Sequence, residues 1–151
     1  MPPLLLSRRL GQVPLKGQEP LHLALTAEER TRQRGLRHST EGEPLLLQLP
    51  RGEPLEPGEL LAPEQGPQRV RVEAAPEPLL RVRAADGPAL LQAAYHLGNR
   101  HVALEIHGQE LRLLDDPVLA HLLEHRGLVI DAIEAPFRPE SGAYGGHGHG
   151  H

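Results

Sequence analysis

Two groups of histidines carry the chemistry open to this chain. The run Ala94-Tyr95-His96-Leu97-Gly98-Asn99-Arg100-His101 places two imidazoles at the end of a predicted helix, and Gly145-Gly146-His147-Gly148-His149-Gly150-His151 closes the chain with alternating glycine and histidine. There is no cysteine, so disulfides and thiolate zinc sites are excluded. Imidazole nitrogen suits Ni(II), Cu(II) and Zn(II). A site of imidazoles alone is labile where a thiolate site would hold on, so the pattern points to metal that is carried and handed over. Imidazole binds metal only when neutral. With an ordinary pKa of ~6.5, affinity is expected to collapse below about pH 6.

The other histidines divide by spacing. His96 lies five residues before His101, a separation that does not stack two side chains on one helix face; it reads as structural, its ring bonded to the helix end. His121 and His125 are one turn apart, a spacing that can chelate, but they flank a leucine stripe and read as an exposed pair. His107 sits in a tight turn, and His22 and His38 read as incidental. In the closing segment glycine leaves little bulk around His147, His149 and His151. The thirteen residues from Pro139 to His151 span at most ~45 Å extended, enough to fold back over a site at His101. Metal-dependent hydrolysis would need an open coordination position and a placed base, and no His-Glu-x-x-His run exists. The chain reads as a carrier and not an enzyme.

The elements that must position these side chains are short. Apolar residues make up 38% of the 151 and aromatic ones 2%, so leucine carries the core; sixteen glycines and sixteen prolines predict many turns. A net charge of −4 with no basic block argues against nucleic acid as a partner. No apolar stretch approaches the ~20 residues of a membrane span, and Met1-Pro2-Pro3-Leu4-Leu5-Leu6 lacks the core of a signal peptide. The expected location is the cytoplasm.

Residues 1–75 read as all-β. Leu21, Leu23 and Leu25 alternate, Leu45–Leu49 forms a strand closed by Pro50, and Val70 and Val72 alternate with arginines. Thr26–Arg30 is a turn or short helical segment. Arg30, Arg32, Arg34 and Arg37 read as a solvated basic face. Ala74–Pro78 reads as a linker, because two prolines interrupt pairing. Residues 76–139 then give an ordered series. A strand covers 79–84. A helix follows, capped by Asp86, with Pro88 in its first turn and Gly98 at its end. Val102, Leu104 and Ile106 form the next strand, and Leu111–Leu114 its partner. A second helix is capped by Asp115 or Asp116 and ends at Gly127, and a last strand covers 128–133. The fold class is therefore α+β: an all-β domain, then a ferredoxin-like βαββαβ domain. Residues 140–151 carry no apolar periodicity and are expected to form a disordered His-rich tail.

Residues Ala94–His101, followed by Val102-Ala103-Leu104-Glu105-Ile106, resemble the signature of the UreE family of urease accessory nickel chaperones. The segment Ala135–Tyr144 resembles that family's closing segment, and Leu49-Pro50-Arg51-Gly52 with Leu55, Gly58 and Glu59 is similar to a turn of its first domain. The resemblance covers most of the chain in consistent order. It implies a β domain that docks partners and a ferredoxin-like domain that forms a homodimer. His101 would be the central Ni(II) ligand, supplied by both subunits near the two-fold axis. The metal would pass to an assembly of urease apoprotein and accessory proteins that includes a GTPase. Relatives with a further His-x-His pair carry it where this chain has Asp115 and Pro117, which shifts weight to the tail.

Overall fold

In the computed structural model, residues 2–142 are described. They separate between Ala74 and Ala75 into two units, each with its own core.

The first unit is built of seven short strands: β1 Leu4–Leu6, β2 Arg8–Gly11, β3 Leu21–Leu25, β4 Arg34–His38, β5 Pro44–Gln48, β6 Leu60–Ala62 and β7 Val70–Ala74. They form a three-stranded sheet, β1-β5-β4, and a four-stranded sheet, β2-β6-β7-β3. Alternation sends Leu23 and Leu25, Leu45 and Leu47, and Val70 and Val72 into one aliphatic core. The expected strands at 21–25, 45–49 and 70–72 are present. β1, β2, β4 and β6 carry no clean alternation in sequence and are found only in the structure. The basic cluster is not one solvated face. Arg30 is buried, in the short 3-10 turn Glu29–Thr31, and its Nη1 donates to the Leu25 carbonyl at 2.9 Å.

The second unit runs β8 Pro76–Arg83, α1 Gly87–Asn99, β9 Glu105–Ile106, β10 Leu111–Leu114, α2 Pro117–His125 and β11 Val129–Pro136. Its sheet has the order β11-β8-β10-β9, antiparallel throughout. This is the ferredoxin-like arrangement expected from the element order. Leu80 and Val82 of β8 and Leu111 and Leu113 of β10 meet Ala93 and Leu97 of α1 and Leu123 of α2 in one core.

Of the expected linker at Ala74–Pro78, Ala74 ends β7, Ala75 alone lies between strands, and Pro76–Pro78 begin β8, with Pro76 paired to Pro136 and Pro78 to Glu134. The prolines are tolerated because of which way they face. The Pro78 carbonyl points away from β11 and accepts from Asp115 N at 3.1 Å, so the missing N–H of Pro78, and by alternation that of Pro76, falls on the side β11 does not use.

Both helices start as the sequence predicts. The Asp86 carboxylate accepts from Ala89 N at 2.8 Å, and Asp116 accepts from Val118 N at 2.8 Å and Leu119 N at 3.1 Å. The end of α1 differs from expectation. Gly98 lies inside the helix, Arg100 is the C-cap, and the strand expected over Val102–Ile106 shrinks to Glu105–Ile106. Val102 N is engaged by the Leu97 carbonyl at 3.1 Å and so cannot join a ladder. No helix among the described residues is long and apolar enough to cross a membrane.

Candidate metal centre

His101 stands immediately after α1 in a conformation fixed by the helix end. His101 N donates to the Gly98 carbonyl at 3.0 Å and Val102 N to the Leu97 carbonyl at 3.1 Å. This pair of bonds closes a Schellman motif and requires a left-handed residue at the position His101 occupies. Its φ is 60°, and it is the one non-glycine with positive φ among the described residues. α2 ends the same way, with Gly127 N to the Glu124 carbonyl at 2.9 Å and Leu128 N to the Leu123 carbonyl at 3.2 Å. There the left-handed position is held by Gly127, φ 84°. Two helices of one unit thus share one terminator, filled once by the unstrained residue and once by an imidazole. Strain of this kind costs about 1 kcal/mol or more and collects at functional sites. The His101 side chain is exposed at the helix end.

The surface of α1 that leads to His101 is apolar and uncovered. Leu91 and Tyr95, one turn apart, are 72% and 67% exposed, and Gly98 continues the same stripe. His96 turns another way. It is half-buried, and its ring meets Tyr95 edge-on at 5.4 Å instead of bonding the helix end.

The segment after β11 is stapled beside β9. Glu105, its side chain 14% exposed, accepts from Arg138 N at 2.8 Å through Oε1 and bonds His107 Nε2 at 2.6 Å through Oε2. Glu140 N donates to the Leu104 carbonyl at 2.7 Å. Glu140 is therefore held, although residues from 140 onward were expected to be disordered. These bonds bring the chain close to the loop that carries His101. His147, His149 and His151, read from sequence as further metal ligands, lie outside the described residues.

The remaining histidines are placed as follows. His22 Nδ1 bonds Glu41 Oε2 at 2.6 Å, and the same carboxylate accepts His22 N at 3.0 Å. The bond to the imidazole holds the Glu41 carboxyl down at about 2, and the carboxylate in turn raises His22 above its ordinary 6.5. His38 is exposed on β4 and His121 and His125 on α2. Among the described residues no three metal-capable side chains of one protomer converge. The sequence singles out His101 as a candidate ligand but does not reveal its backbone conformation. The signal for it lay in the missing glycine: Arg126-Gly127 ends one helix, while Arg100-His101 ends the other.

The C-terminal domain model of the UreE urease accessory protein matches residues 77–151, and the N-terminal domain model matches residues 6–75. The chain belongs to the UreE family. It is 58% identical over 133 residues to the urease accessory protein UreE of Parasynechococcus marenigrum, covering 88% of this chain and 89% of that one. The UreE of Thermosynechococcus vestitus is 53% identical over 139 residues, covering 92% and 96%. That of Pseudomonas fluorescens is 50% identical over 149 residues, covering 98% and 87%. These UreE relatives are named as accessories to an enzyme and not as catalysts, and both UreE domains are matched in order along the chain.

Proposed function

We propose that this protein is a nickel carrier for urease maturation, holding Ni(II) as cargo and passing it to urease apoprotein in company with other accessory proteins, a GTPase among them. The relatives' shared name, urease accessory protein UreE, supports the destination. The observation that carries the metal reading is His101, held in a strained left-handed conformation at the exposed end of a helix.

One imidazole binds metal weakly, and a two-fold axis repeats the same patch on both subunits. The uncovered Leu91–Tyr95 stripe runs up to His101 on α1, so a second copy docked on it would bring two His101 side chains together. The protein works in this reading as a cytoplasmic homodimer through its second unit, with residues 1–75 docking partners. His147, His149 and His151 complete the shared site or feed it from nearby, raising the local ligand concentration. Zn(II) and Cu(II) compete for the same nitrogens.

The test is calorimetric Ni(II) titration at pH 7.5 of the full chain, a chain ending at Tyr144, and His101→Ala, with particle mass measured in parallel. The shared site requires that the shortened chain keep one tight site per dimer and that His101→Ala lose it. Loss on shortening with little effect of His101→Ala would move the site to the tail and overturn the assignment of His101.

A further inference from the structure

The exposed side of α2 presents a second arrangement of imidazoles. His121 and His125 lie one turn apart, both exposed, with ring centroids 6.5 Å apart and planes inclined by 23°. His22 and His107 are each taken by a carboxylate at 2.6 Å. The ring contact recorded for His121 and His125 among the described residues is with each other. Two imidazoles binding one ion at ~2.0–2.1 Å per nitrogen have ring centres roughly 4.5–6.5 Å apart, according to the angle at the metal. The observed spacing is at the wide end of that range and the rings are stacked, so binding requires both side chains to turn from the stack toward a common point.

The backbone beneath the pair is fixed. α2 is pinned at its start by the two bonds to Asp116, at its end by the Gly127 turn, and along its inner face by the buried Leu123. The rings project from its second half, and His125 is its last residue. The negative end of the helix dipole lies there and favours a cation.

We infer that α2 carries a separate divalent-cation site formed by His121 and His125, with water in the remaining positions. Neutral nitrogen ligands select Cu(II), Ni(II) or Zn(II) over Mg(II) and Ca(II), which take oxygen. The site is independent of His101. β8 and β9 run one way and β10 and β11 the other, so α1 and α2 are antiparallel, and the end of α1 shares a pole of the unit with the start of α2. His125 lies at the opposite pole. Two protein ligands hold an ion loosely, which suits a place where metal is picked up and exchanged.

The experiment uses the full chain in equilibrium dialysis against Cu(II), compared with His121→Gln, His125→Gln, the double variant and His101→Ala. Glutamine is a good helix former and the positions are exposed, so far-ultraviolet circular dichroism should be unchanged. The double variant should bind about one Cu(II) fewer per protomer, each single variant should lose the same site, and His101→Ala should retain it. In the parent chain, the increment of Cu(II) that the double variant fails to bind should broaden the ring resonances of His121 and His125. Equal stoichiometry in parent and double variant, or no broadening of these resonances over that increment, overturns the proposal. Loss of this same site in His101→Ala would overturn its independence while leaving the nickel-carrier reading standing.

Discussion

At His101 a strained backbone and the proposed ligand coincide in one residue. A glycine in its place would remove the strain and the proposed ligand together. We expect His101→Gly to be more stable to denaturant than the parent by about 0.5–1 kcal/mol while losing the proposed shared metal site; His101→Ala should lose that site with no such gain. A parent at least as stable as His101→Gly would remove strain from the account. The reciprocal change, Gly127→His, should destabilise by a similar amount. The His22–Glu41 pair makes a different prediction, about pH. His22 is raised above 6.5, so its contribution is complete below 6.5 and lost as pH rises through the folded value; Glu41 is lowered from 4.5 to about 2, so its contribution is complete above 4.5 and lost as pH falls toward 2. The pair is fully formed between those limits. In a proton-resonance titration His22 should titrate above 6.5 and return toward it in Glu41→Gln. An unmoved His22 midpoint in that variant would refute the coupling.

The elements were legible where pattern and cap agree and obscure where a tertiary bond decides. Asp86 and Asp116 announce both helices. Asp116 receives two amides and Asp86 one, so Asp116→Ala should cost about 1–2 kcal/mol and Asp86→Ala less, measured by chemical unfolding. Equal losses would mean that the second bond contributes nothing. The end of α1 was misread because Gly98 offers the usual stop signal three residues too early, and the left-handed turn went to a histidine. β4 was hidden because Arg34-Gly35-Leu36-Arg37-His38 lacks an alternating pattern; its place is set by antiparallel pairing to β5. The start of β8 was hidden by its prolines, whose tolerance depends on which neighbour each strand edge has. Such facts belong to the assembled sheet.

At the scale of the whole molecule, the histidines, the missing cysteines and the βαββαβ order suffice to outline two units and a metal reading, yet the apolar face next to His101 is visible only once α1 is folded. Leu90 and Ala94 face the core, while Leu91 and Tyr95 do not, a division that leucine-rich sequence blurs. If that face joins two copies, Leu91→Glu with Tyr95→Glu should yield monomers by light scattering, with Ni(II) affinity reduced as in His101→Ala. Unchanged mass would exclude α1 as the joining surface. The prolines of β8 have a consequence of another kind. Beside Pro76 and Pro78 the sheet has an open stretch, because β10 pairs only with Leu79–Val82. That stretch has no amide hydrogens at its two prolines, and the Pro78 carbonyl is already taken by Asp115 N, so a foreign strand seeking a ladder finds little to pair with. The open stretch is thereby guarded against fibril-like strand addition.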